Sequence, residues 1–220
     1  MLLVAGAALA CFGFWRFQTP GIVLGPFEDE PSTAESVPPP EPEPQPVTTT
    51  LRFSATGDNL IHAPIYKQAA RRAAEGQRYD FDYCYEHLLD FYAAQDVNWI
   101  NQETLCSKEL EPSTYPGECA EALYRAGIRV FSLSNNHTYD KGAKGIAATL
   151  RFWDEMPEDV VTTGLWYGES DYGTIPLQTV NGVTIAYLSY TDHTNGIPQS
   201  SAMTANVIYT NQRTLFMTVS

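Results

Sequence analysis

From Thr50 onward the chain alternates short apolar runs with amphipathic stretches, and that alternation is its strongest constraint on fold. LRFSATGD reads as a strand ending at a glycine and an acid, and Ala63 to Glu75 has helical composition. Tyr83 to Ala94 predicts a second helix with Leu88, Phe91 and Tyr92 on one face, and VNWINQE a second strand. Gly117 to Ala126 predicts a helix stopped by Gly127, IRVFSLS a third strand, and Lys144 to Glu155 another helix. TIPLQTV and VTIAYLSY flank Asn181-Gly182, a pair that favours a type I′ hairpin. Strand, helix, strand, helix, strand points to a layered α/β fold.

The polar residues gather where such a fold binds ligands. Asp58 and Asn59 follow the first strand, Asn101 and Glu103 close the second, Asn136 and His137 follow the third, and Asp192 with His193 follow the last. Open α/β sheets take ligands outside the carboxyl ends of their strands. Four strands are thus expected to deliver carboxylate, carboxamide and imidazole groups to one rim, a donor set suited to a hard or borderline divalent cation. Each residue also has a plainer reading. Asp58 suits an Asx turn; Asn136, His137, Thr138 and Asp140 suit a helix cap; His62 and His87 read as surface or core residues.

Composition narrows the function classes. The 220 residues are 44% hydrophobic, enough for one core, and the net charge of −13 excludes a nucleic-acid binder for want of bases to neutralise phosphates. Six acids and no base lie between Phe27 and Pro46, so the remainder is only moderately acidic. Cys84, Cys106 and Cys119 form no C-x-x-C pair and read as small apolar residues.

The N-terminal segment differs in kind. MLLVAGAALACFGFW carries no charge and suits an export segment, retained or cleaved, over residues 1–17, and Cys11 after ALA also allows a lipoprotein reading. Residues 18–49 read as a stalk: Pro20 to Pro46 holds nine of the fifteen prolines. Polyproline II at about 3.1 Å per residue would reach roughly 80 Å. Residues 50–220 form the domain, expected at the cell membrane facing outward, or secreted.

The ordered series TGDNLIH, NQET, SNNHTYDKGAKGI and NGVTIAYLSYT resembles the bacterial capsule-synthesis CapA family, also called poly-γ-glutamate synthesis proteins. The resemblance covers about Leu51 to Asn195, and its most specific element is NNH-x-x-D-x-G-x-x-G, Asn135 to Gly145. It implies a calcineurin-type metallophosphoesterase fold: a layered sandwich of mixed sheets flanked by helices, of which this chain carries the N-terminal part. It implies two divalent metal ions, with Asp58 on the first, Glu103 as a bridging or second carboxylate, and Asn136 on the second. His137 would act on the leaving oxygen or the phosphoryl group. Asn135 would shape the turn, and Asp140 would belong to the start of the next helix. Asn59, Asn101 and His193 are the further supporting candidates.

Two departures from that family pattern stand out. The first motif usually reads Asp-x-His, whereas Asn59 and Leu60 follow Asp58 here, with His62 four positions on. The family's later histidine elements fall after the NGVTIAYLSYT hairpin, yet no histidine follows His193. The resemblance therefore implies a C-terminally truncated chain with an incomplete metal site and no activity of its own. Two functions remain open: a metal-dependent, phosphoesterase-like protein acting in synthesis or export of an anionic surface polymer such as poly-γ-glutamate, or a non-catalytic, membrane-tethered component of the polymer-synthesis complex.

Overall fold

The computed structural model describes residues 48–110, 116–198 and 206–210, all but Thr48 within the unit that runs from Thr49 onward. The export segment and the stalk, save its last two residues, lie outside the described residues, as does most of the C-terminal tail. Among the described residues no helix is long and apolar enough to cross a membrane.

A parallel four-stranded sheet carries the domain: β1 (Phe53–Asp58), β2 (Val97–Asn101), β3 (Val130–Ser132) and β4 (Val161–Thr163), in the order β1-β2-β3-β4. Consecutive strands are neighbours, so right-handed crossovers place their connecting helices on one face. Side-chain alternation agrees with that placement. Ile100 and Phe131 join the main core with Leu123, Phe152 and Trp153, the Phe131 and Trp153 rings lying 4.7 Å apart. Val97 and Val130 point the other way and meet Tyr187, with Val180 and Ile185 packed beside them. These last two belong to β5 (Leu177–Val180) and β6 (Val183–Ala186), an antiparallel hairpin that covers the second face. Its turn residues Asn181 and Gly182 have φ of 52° and 78°, the two positive values that a type I′ turn requires.

The helices follow their sequence signals closely. α1 (Ala63–Arg72) begins with Pro64 in its first turn; α3 (Glu118–Ala126) buries Cys119, Ala120, Ala122, Leu123 and Ala126; α4 (Gly142–Asp154) buries Ile146, Leu150, Phe152 and Trp153. Between α3 and β3, Gly127 takes φ 110°, a left-handed stop that a side chain would disfavour. The exception is the helix expected over Tyr83 to Ala94. Two 3₁₀ turns, Asp82–Cys84 and Glu86–Leu88, precede a five-residue α2 (Leu89–Ala93), and Leu88 and Phe91 are exposed while Tyr92 is buried. The break coincides with Tyr85, which is buried and donates its hydroxyl to Asn59 Oδ1 at 2.9 Å.

Two further corrections concern the sheet. β4 is as short as β3 but lacks the longer apolar run, IRVFSLS, that marks β3, so the sequence pattern does not predict it. β6 lies in the hairpin, so β4, not the Val183–Ala186 strand, is the fourth member of the parallel sheet. The chain then returns across the sheet end, where Ser189 bonds Ser132 at 2.6 Å and Thr163 donates to the Tyr187 carbonyl at 2.9 Å. Residues 206–210 add to this layer: Val207 and Ile208 are fully buried, and Thr191 N–H and Thr210 N–H exchange bonds across the two segments at 3.3 and 2.9 Å.

Gly164 is the tightest point of that closure. It sits at φ 93°, and a Cβ there would lie 2.6 Å from Ser189 Cβ and 2.7 Å from Ser134 Cβ. Gly164→Ala is therefore expected to cost about 1–3 kcal/mol from overpacking, before backbone strain is added. Urea denaturation followed by tryptophan fluorescence reads the change, and an unchanged midpoint would contradict the packing described.

Candidate functional site

Parallel pairing places all the strand carboxyl ends on one rim. Asp58 registers with Asn101, and Asn101 with Ser132, after an irregularity at Gly57 that shifts the β1 register. Backbone bonds extend the order past the strands: Asn59 N–H donates to the Asn101 carbonyl at 2.8 Å, and Gln102 N–H to the Ser132 carbonyl at 2.9 Å.

Beneath the rim lies a buried amide web. Asn59 Nδ2 donates to Gln102 Oε1 at 2.7 Å, Gln102 Nε2 to the Thr104 carbonyl at 2.8 Å, and Thr104 Oγ1 accepts Ile61 N–H at 2.7 Å. Asn59, a supporting candidate by sequence, thus has both side-chain ends engaged in the fold. The web holds the backbone on either side of Asp58 and Glu103.

The functional groups stand on top of it. Asn101 Nδ2 donates to Asp58 Oδ1 at 2.8 Å, which fixes the amide orientation and leaves Asn101 Oδ1 buried without a hydrogen-bond partner. Glu103 is buried, and burial raises its pKa above the ordinary carboxyl range. A hydrogen bond with the Asp58 carboxyl and that group's charge raise it further, while His137 and His62 oppose the rise. Burial and a like-charged neighbour thus both favour the neutral form of Glu103.

His137 spans two of these acids. Its Nδ1 lies 2.7 Å from Asp140 Oδ2, and its Nε2 lies 3.4 Å from Glu103 Oε1. The loop that presents it is fixed by Asn135, whose Oδ1 accepts His137 N–H at 3.0 Å and whose Nδ2 donates to the Gln102 carbonyl at 3.2 Å. Thr138 Oγ1 locks the same turn by accepting Asn135 N–H and donating to the Leu133 carbonyl. Asp140 corrects its expected role as a cap: Lys141 is the N-cap of α4, without a side-chain cap bond, and Asp140 orients the imidazole.

The remaining candidates divide. Asn136 is half-buried, and its Nδ2 donates to Asn195 Oδ1 at 3.0 Å. Asn195, which sequence reasoning passed over, also brings its Nδ2 to 3.3 Å from His137 Nδ1 and 3.5 Å from Asp140 Oδ1. Its φ of 50° beside Gly196 marks a turn, the one local signal that it carried. His193 is exposed, pairs with Asp192, and faces a separate cleft with Ile197 and Tyr209. His62 is exposed as expected, yet shares a small cavity of about 180 Å³ with Thr104, His137 and Asp140. A larger cleft, about 740 Å³, lies elsewhere; its arginines are already paired, Arg78 with Glu118 and Arg125 with Asp82, so among the described residues it offers no uncompensated cation.

These donors fit a hard divalent ion in kind: two adjacent carboxyls short of countercharge, an orphaned amide oxygen beside them, and an imidazole nitrogen. They are sparse in number. Among the described residues no group of three or more histidine, cysteine, aspartate or glutamate side chains is placed to hold a metal ion.

Comparison with known proteins bears on the chain from residue 52 onward. The family model described as bacterial capsule synthesis protein PGA_cap matches residues 52–217. The chain is also 40% identical over 126 residues to the capsule biosynthesis protein CapA of Bacillus anthracis, a match taking in 52% of this chain and 30% of that protein. The chain thus spans under a third of that relative.

Glu103 generates a stability prediction for the metal-free protein. Its pKa is raised in the fold, so its contribution is fully present below the ordinary glutamate range, about 4.3, and is lost as pH climbs through the raised value. Glu103→Gln should therefore match wild type in strong acid and become the more stable protein as pH rises toward neutrality. Chemical denaturation between pH 4 and pH 8 tests the sign, and a variant that loses ground as pH rises would refute it.

Proposed function

The chain belongs to the bacterial capsule synthesis protein family, and from that premise we propose that it acts in synthesis or export of an anionic cell-surface polymer such as poly-γ-glutamate, through a metal-dependent phosphoesterase-like centre on the Asp58–Glu103–His137 rim. The observation that carries this is the convergence on one rim of the buried Glu103 carboxyl, the Asp58 carboxyl and the unpartnered Asn101 oxygen beside it, with His137 Nε2 3.4 Å from Glu103. A fold that gathers uncompensated charge at a rim gives up stability there, which fits a site built for a cation.

Asp58 and Glu103 would hold the ion, with Asn101 Oδ1 or Asn136 as neutral oxygen donors. When bound, a divalent cation supplies Lewis acidity toward a phosphoryl oxygen and lowers the pKa of water. Asp140 holds His137 at Nδ1 and so directs Nε2 toward the space above Glu103, where it can give a proton to a leaving oxygen. Asn195 braces both Asn136 and the His137–Asp140 pair, closing the loop over the rim.

A second reading is a non-catalytic, membrane-tethered component of the polymer-assembly complex. Internal pairing of the donors favours it: Asp58 with Asn101, Asn136 with Asn195, and His137 with Asp140 are all engaged within the fold. Titration calorimetry with Mn²⁺, Zn²⁺ and Ca²⁺ separates the two. The catalytic reading expects binding that Asp58→Ala weakens about tenfold or more, and hydrolysis of a phosphoester that His137→Ala lowers by about 10²–10⁴ while sparing binding. Heat-silent titrations with all three ions would leave the second reading.

Location belongs to the same proposal. The uncharged leader and the proline-rich acidic segment after it support a domain held outside the membrane. External protease should digest the domain on intact cells, and protection of the domain in intact cells would contradict that placement.

A further inference from the structure

Cys106 and Cys119 meet in the core directly under the rim. Their sulfurs are 3.7 Å apart, both side chains have no exposed surface, and the residues are 13 positions apart in sequence. Cys106 follows the loop that carries Glu103; Cys119 sits in the first turn of α3. Nothing in the chemistry proposed for the rim uses either one.

Cys119 is also tied to the amide web. Its Sγ lies 3.9 Å from both Asn59 Nδ2 and Gln102 Nε2, the residues that neighbour Asp58 and Glu103 in sequence. All three thiols are free in this structure, and Cys84, by contrast with the other two, is only half-buried.

We propose that Cys106 and Cys119 form a disulfide when the chain folds in an oxidising medium, stapling the loop after β2 to α3 beneath the Asp58–Glu103 carboxyls. The sulfurs must close from contact distance to about 2.05 Å. The oxidant is an external disulfide: one cysteine thiolate attacks it and expels a thiolate, the second cysteine displaces the mixed disulfide, and two thiols with their two protons leave as the reduced partner. Exchange belongs to the folding chain rather than the folded one. Complete burial blocks access, and burial, with the neighbouring Cys119, raises the Cys106 thiol well above its ordinary range, so little thiolate exists once the core has closed. The same burial shields the finished bond from reductant.

The bond would stabilise mainly by restricting the unfolded chain, an effect that grows only slowly with the length of the loop closed. It would also hold the floor under Asp58 and Glu103 in one arrangement.

The test uses the full chain, unfolded in guanidinium and refolded either in a reduced and oxidised glutathione mixture or with excess reductant. Both samples are alkylated under denaturing conditions and mapped by peptide mass. The glutathione sample should yield the Cys106 and Cys119 peptides joined and two hydrogens lighter, with Cys11 and Cys84 alkylated. Its thermal midpoint should lie several degrees above that of the reduced sample, and Cys84→Ala should keep both the link and the shift. Recovery of Cys106 and Cys119 as alkylated monomers after glutathione refolding, or pairing of either with Cys11 or Cys84, would overturn the proposal.

Discussion

Parallel pairing of β1 with β2 decides most of what this domain can do. It sets Asp58 beside Asn101, and the irregularity at Gly57 carries the chain forward so that Asn59 can bond back to the Asn101 carbonyl. Glu103, two residues past the end of β2, is thereby brought near enough for the Asp58 charge to act on it. Two carboxyls drawn together by backbone register are costly when one is buried. The amide web of Asn59, Gln102 and Thr104 is what keeps the backbone in place despite that cost.

The imidazole arrives from a different part of the fold. β3 pairs with β2 and delivers the turn that begins at Leu133, and Asn135 binds that turn to the Gln102 carbonyl. His137 is thus referenced to the same strand end as Glu103. The Asn195 loop closes over it only because the chain beyond β6 crosses the sheet end and is pinned there by Ser189, Thr191 and residues 206–210. Rim chemistry and packing of the second face are therefore coupled through one segment.

Sequence made the periodic parts of this fold readable and left the cooperative parts hidden. β1 to β3, α3, α4 and the Asn181-Gly182 hairpin carry local signals: apolar runs, a glycine stop, a pair with positive φ. β4 is as short as β3 but lacks the longer apolar run from Ile128 that marks β3, and α2 is short where Tyr85 leaves the helix pattern to bond Asn59. At the site, the positions of Asp58, Glu103, Asn136 and His137 follow from strand ends alone. Their partners do not. Asp140 looks like a cap until His137 is seen beside it, and Asn195 reaches His137 across 58 residues of chain. Such contacts are made by topology, which no local window contains.

The central claim is that the Asp58–Glu103 pair with the orphaned Asn101 oxygen is a cation site. Anomalous diffraction from crystals of the protein soaked in Mn²⁺ tests it most directly. The account expects a peak at about 2.0–2.6 Å from carboxylate oxygens of both acids, with Asn101 Oδ1 gaining a partner. Crystals showing no peak there, with Glu103 still hydrogen-bonded to Asp58 at saturating Mn²⁺, would contradict it.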